Sequence, residues 1–273
     1  MKALPLAAAL VVGLIGQDAY GNPVDAERPV GETPGWSGSV DGRAALAVGN
    51  IDRVDLGGSL GLHWQSFQPA PERSSADAPP WLRQRWTLLA DGALATLGSR
   101  RFVQRSFVHG RSTTMVWPRV GFDAFAQAQA DAFTRLQMRL VAGAGVRVVA
   151  LARSRAQVWS GAAYMPEFER NDILPGDVHP AATVNHRLSA YASFAGRPLA
   201  EGSLTVRATG YVQPRLDDGT DLRTLGHVAL EAAAAPRLAV GFEGLVVHDT
   251  RPPGGVAHTD LLVRGFLRVR VGS

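Results

Sequence analysis

Residues 54–65 read Val-Asp-Leu-Gly-Gly-Ser-Leu-Gly-Leu-His-Trp-Gln, with a period of two. Val54, Leu56, Gly58, Leu60, Leu62 and Trp64 fall on one side, and Asp55, Gly57, Ser59, Gly61, His63 and Gln65 on the other. Successive side chains of an extended chain point to opposite faces, so this stretch is a strand with one apolar face and one small or polar face.

The same alternation recurs down the chain. Val120, Phe122, Ala124, Ala126, Ala128 and Ala130 interleave with Gly121, Asp123, Phe125, Gln127, Gln129 and Asp131. Leu204, Val206, Ala208, Gly210 and Val212 interleave with Thr205, Arg207, Thr209, Tyr211 and Gln213. Twelve such segments are expected: 36–49, 51–67, 81–98, 101–117, 119–133, 135–151, 156–169, 182–195, 201–214, 219–234, 237–249 and 257–271, the fourth and seventh alternating least regularly. Soluble strands run about 5–6 residues, whereas a tilted membrane-spanning strand needs about 9–11. These segments reach the membrane length. The fold class expected is therefore all-β, a single antiparallel transmembrane β-barrel of about twelve strands, with the apolar face toward lipid and the polar face toward a lumen.

The polar face is rich in arginine. The lumen-lining candidates are Arg43, Arg85, Asp123, Arg139, Arg147, Arg187, Arg207, Glu243, Arg264, Arg268 and Arg270, with Asp41, Asp55, Asp91, Asp131 and Glu231 as further carboxylates among them. A ring of arginines selects anions, which makes small anionic solutes a possible cargo. Twelve strands also make a narrow barrel that such side chains can fill with ion pairs, and the filled lumen is the favoured expectation. An even strand count places both termini on one side, the periplasm. Trp36, Trp64, Trp81, Trp86 and Trp117 then fall near that side, as membrane-interface aromatics. The stretch 68–80, rich in Pro and Ser, is a long insertion among otherwise short inner links.

The 273 residues carry a net charge of +4, and arginine supplies nearly all the positive charge because the sole lysine is Lys2. The arginines are spread singly rather than clustered, which argues against nucleic acid as a partner. The absence of cysteine excludes disulfides, thiolate metal sites and cysteine nucleophiles. Lys2, the apolar run Ala3 to Gly16 and the small residues around Ala19-Tyr20-Gly21 predict a signal peptide over 1–21. A flexible segment over 22–34 and the barrel domain over 35–273 follow. The expected destination is the outer membrane, reached through the periplasm.

Gly35-Trp36-Ser37-Gly38-Ser39, the strand Phe122-Asp123-Ala124-Phe125, the turn through Asp131 and Phe133, and Leu140-Val141-Ala142-Gly143-Ala144-Gly145-Val146-Arg147 resemble the salt-induced outer-membrane proteins of Gram-negative bacteria. The resemblance covers roughly 35–271. That family is a domain of unknown function. It implies an outer-membrane barrel, with outer-membrane lipid, the barrel-assembly machinery and periplasmic chaperones as partners, and it supplies no catalytic residues. The chain departs from the class in ending Arg270-Val271-Gly272-Ser273, without a terminal aromatic.

Little else points to chemistry. The seven histidines form no metal-ligand spacing, although His248-Asp249 and His258 with Asp260 flank one outer link and could hold a cation. His186 with Ser189 and His109 with Ser112 are three apart on strands, so each pair points to opposite faces and cannot form a dyad. No catalytic residue, cofactor or metal is expected. A structural or envelope-adaptation barrel is the leading reading. A narrow anion-preferring channel, a barrel enzyme acting on lipid and a soluble periplasmic β-protein are the alternatives.

Overall fold

The computed structural model describes residues 34–47, 53–69, 80–97, 100–153, 155–199, 203–235 and 238–269. The expected signal peptide, all but the last residue of the segment 22–34 and most of the 68–80 insertion lie outside the described residues. The described residues form β1 (Gly35–Ala47), β2 (Arg53–Gln68), β3 (Trp81–Leu97), β4 (Arg100–Trp117), β5 (Val120–Asp131) and β6 (Leu136–Ala152). They continue with β7 (Ala156–Asn171), β8 (Ala182–Gly196), β9 (Leu204–Pro214), β10 (Leu222–Ala235), β11 (Leu238–Asp249) and β12 (Thr259–Val269). All twelve lie in one sheet in chain order, each antiparallel to the next. They run from 11 residues in β9 to 18 in β4.

The two segments with weak alternation are full strands, for different local reasons. In β4 the even-numbered side carries Ser106, Gly110 and Ser112, which mutes the apolar stripe. In β7 the interruption is Pro166, which has no N–H to donate. It pairs with His186 of β8, while the ladder between β6 and β7 skips Met165 and Pro166 opposite Ala142 and Gly143.

Away from the bulges near strand ends, the register keeps odd-numbered residues of β2 through β11 on one face: His63 lies opposite Thr87, Arg111 opposite Phe125, and Glu231 opposite Thr205. Side chains of non-neighbouring strands meet on this face. Arg111 Nη1 of β4 donates to Tyr211 Oη of β9 at 3.5 Å, and Tyr191 Oη of β8 donates to Asp123 Oδ2 of β5 at 2.6 Å. Such contacts require the sheet to curl with its odd-numbered face concave. The described ladders do not join β1 to β12.

The faces invert the usual distribution of a water-soluble protein. On the concave side Arg187 and Glu167 are 1% exposed, while on the convex side Phe242 is 65% and Val184 67% exposed. Charge is inside and apolar surface outside. The five tryptophans named above all lie toward one end of the sheet, with Trp36 opposite Trp64 and Trp64 opposite Trp86. The Trp64 and Trp86 rings are 5.1 Å apart. The sixth, Trp159, lies toward the same end near the start of β7 but is buried on the concave side.

Concave-face glycines make room for the large side chains. A Cβ at Gly143 would run into the Phe125 ring, and one at Gly145 into the carbonyl of Ala162. Gly145→Val is expected to destabilise the refolded protein by about 1–3 kcal/mol, through forced backbone movement. Gly244→Ala, with nothing within 4 Å of the added carbon, should stay within about 0.5 kcal/mol. Urea unfolding in detergent compares the two.

Candidate functional site: the charged concave face

Glu167, near the end of β7, is the hub. Its carboxylate accepts from Arg139 Nε of β6 at 2.7 Å, Arg187 Nε of β8 at 3.0 Å and Arg223 Nη1 of β10 at 2.9 Å. Arg223 also binds both oxygens of Glu169 at 2.7 and 2.9 Å and Asp249 Oδ2 at 2.7 Å. Arg187 continues to Asp221 Oδ1 at 2.7 Å, and Arg215 meets the other oxygen of Asp221 at 3.1 Å. Alternation explains the cluster: Glu167 and Glu169 flank Phe168, so both acids face inward while the ring faces out.

A second cluster lies deeper, around Asp123. Thr113 Oγ1 and Tyr191 Oη each donate to it at 2.6 Å, and Arg111 stands 3.7 Å away. The Arg111 guanidinium rests over the Phe125 and Tyr191 rings at 5.6 and 5.2 Å, and that of Arg147 over Trp159 at 5.3 Å. Arg105 pairs with Asp91 at 3.0 Å, Arg85 donates to Gln65, and His227 contacts Glu243 at 2.6 Å.

Of the residues singled out in the sequence, Arg85, Asp123, Arg139, Arg147 and Arg187 are buried on the concave face. Arg207 is half-buried, and Glu243 is held by His227. The side chains of Arg43, Arg264 and Arg268, and all of Arg270, lie outside what is described, although the ladder sets Arg264 opposite Glu243. Sequence reasoning passed over Glu167, Glu169, Asp221 and Arg223, which carry the largest network. The Glu-Phe-Glu alternation at 167–169 was the available signal.

Between this network and the link 250–258 lies a cavity of about 170 Å³, bordered by His109, Gln127, Tyr211, Arg223 and Pro253 among others. A cavity of about 150 Å³ holds a molecule of benzene size, so this space is far below that of a typical ligand pocket.

The links at this end are stitched together. The Asp177 carboxylate accepts from the backbone N–H of His179 at 2.9 Å and of Gly254 at 2.7 Å, joining the links 172–181 and 250–258. Arg251 pairs with Asp218 at 2.8 Å and donates to Thr220 Oγ1 at 2.8 Å. Arg135, at φ 60° in the β5–β6 turn, donates to the carbonyl of Asp172 at 2.7 Å. The two amides hold the Asp177 carboxyl below the usual carboxylate range, the contact with His179 contributing most.

His248 and His258, at the margins of the link 250–258, bind Thr259 Oγ1 and the Asp249 carbonyl. Among the described residues no three His, Asp or Glu side chains converge as metal ligands. His186 lies on the convex face and meets Tyr164 Oη at 2.6 Å, whereas Ser189 is buried on the other side, where it accepts from Gln213. His109 is buried on the concave side, across the strand from Ser112.

The sequence matches the family described as a protein of unknown function, DUF481, over residues 80–267. The chain belongs to the DUF481 family. The match includes every member of the Glu167 network and leaves out the Gly35–Ser39 motif. No curated protein matches the chain. Among solved structures it is similar to the NanC porin in a rhombohedral crystal form, at 8% identity and a TM-score of 0.44, covering 79% of this chain and 94% of that one.

Two predictions follow from the charged face and its cap. Glu167→Ala removes the carboxylate shared by Arg139, Arg187 and Arg223 and should cost about 3–5 kcal/mol of unfolding free energy. Asp217→Asn, on an exposed pair, should leave the midpoint of the same urea titration essentially unchanged. The Asp177 clasp depends on an ionised carboxylate with a lowered pKa. It is fully present above the ordinary Asp value of about 3.9 and lost as pH falls through the lower folded value. Hydrogen exchange at the Gly254 amide should therefore stay protected in the wild type down to the ordinary Asp value of about 3.9. Asp177→Ala should remove that protection at every pH.

Proposed function

We propose that this chain is a closed, twelve-stranded β-barrel of the outer membrane, with a filled interior and a structural or adaptive role in the cell envelope. The observation that carries the proposal is the inverted exposure of the two faces. A sheet with Phe242 and Val184 about two-thirds exposed and Arg187 sealed away suits a hydrocarbon solvent. Closure is supported by the tight curl and by chemistry, since an open sheet edge in lipid would leave each unpaired backbone group costing several kcal/mol. Strand lengths of 11 to 18 residues are sufficient to cross. Outer-membrane lipid is then the immediate environment, and the assembly machinery of that membrane the route into it.

The filled interior rests on the pairing of its charges. The Arg139, Arg187 and Arg223 guanidinium groups are bound to carboxylates, so they neutralise one another rather than present a free positive ring to a passing anion. Catalysis on lipid has no support from His186, whose neighbour on the lipid side is a tyrosine.

Two measurements test the proposal. Refolded protein should migrate differently on gels before and after boiling and should need detergent or lipid to fold. Monodisperse folding in plain buffer would overturn the membrane reading. In planar bilayers the protein should insert without steady conductance. Discrete anion-selective steps would replace the filled barrel with the narrow channel.

A further inference from the structure

The two ends of the sheet differ in charge. The short links 118–119, 153–155, 197–203 and 236–237 contain Arg119, Arg153, Arg155, Arg197 and Arg237 against a single acid, Glu201. The long link 69–80 adds Arg73 with Glu72 and Asp77. The opposite links reverse the balance, with Asp52, Asp172, Asp177, Asp217, Asp218 and Asp221 against Arg135, Arg215 and Arg251. There the charges pair with one another, as Arg215 does with Asp217 and Arg251 with Asp218.

At the basic end the arginines form a continuous edge. Arg119, Arg153, Arg155 and Arg197 are all exposed. The Arg119 carbonyl accepts from the Val149 N–H of β6 at 2.8 Å, and the Arg155 carbonyl accepts from the Arg197 N–H at 2.8 Å. Three successive turns are thereby brought side by side. Trp117, 61% exposed and two residues before Arg119, borders this edge on the convex face, with Trp86 and Trp36 farther round at 47% and 57%.

We propose that this arginine edge is a binding surface for the phosphodiester headgroups of an anionic phospholipid leaflet. The inference rests on the membrane reading above and adds which end meets which lipid chemistry. Guanidinium groups match phosphate oxygens with two parallel hydrogen bonds, which an ammonium cannot do. Exposed indoles seat at the depth of the headgroups, placing the arginines beside them at the height of the phosphates. The opposite end offers no such surface, because its link arginines Arg215 and Arg251 are paired with Asp217 and Asp218. The surface therefore gives the sheet a preferred direction across an asymmetric bilayer.

The test uses the full mature chain refolded into vesicles of phosphatidylcholine alone, or of phosphatidylcholine with phosphatidylglycerol. Lipid that stays with the protein after detergent extraction is identified by native mass spectrometry. The wild type should retain phosphatidylglycerol above its share of the bilayer. Arg119→Gln/Arg153→Gln/Arg155→Gln/Arg197→Gln should lose that enrichment, by about fivefold for each arginine under low salt. Arg135→Gln/Arg215→Gln/Arg251→Gln, which removes the three arginines of the opposite links, should keep it. Equal enrichment in all three proteins, or none in the wild type, overturns the proposal. Enrichment lost only in the opposite-end variant would assign the lipid to the wrong rim and overturn it as well. Failure to enter either vesicle contradicts the membrane reading itself, a result distinct from insertion without lipid preference.

Discussion

The structure depends on burying charge without leaving it alone. Taking an ion out of water costs several kcal/mol, and the cost is recovered only where geometry supplies opposite charges and satisfied hydrogen bonds. Glu167 of β7 meets that condition with Arg139 and Arg187 from the flanking strands β6 and β8, and with Arg223 from β10, three strands away. The hub can be completed only if the sheet curls enough to bring β10 to β7. The same charges that are hard to bury thus select the curvature, and the glycines at 143 and 145 leave space for it.

The convex face follows the complementary rule. Apolar side chains there need no partner within the chain if the surrounding solvent is itself apolar, so they line up by register alone. This division explains why the concave face is held by charged and polar pairs, such as Asp123 with Tyr191, while the convex face is a mainly apolar band. It also explains the caps. Beyond the convex apolar band, the links at one end are tied by Asp177, Arg251 and Arg135 across chain separations of up to 77 residues.

Period-two alternation was sufficient to read nearly all of the fold from the sequence. It located all twelve strands, including boundaries within a few residues in β3, β8 and β11. The site was legible only in part. Alternation tells which face a side chain takes, so Arg139, Arg147 and Arg187 could be placed on the polar side. It does not tell which partner across the curl it will meet. That depends on strand stagger and curvature, which are properties of the whole sheet. Glu167 and Glu169 were hidden by Pro166, which interrupts the pattern in β7 just before them. Trp159 was hidden differently: its position along the strand matched the other tryptophans, while its register opposite Ser193 turns it to the concave face.

The claim underlying this account is that odd and even residues of one strand meet different solvents. Because the chain has 0 cysteines, single cysteines can be introduced without background. In β8 the useful set is Leu188→Cys and Ala192→Cys on the convex face, and Ser189→Cys and Ser193→Cys on the concave face. Each is labelled with a fluorophore and exposed to a quencher attached to lipid tails. Strong quenching at 188 and 192, with little at 189 and 193, is the predicted result. Equal quenching at all four, or the reverse pattern, would contradict it.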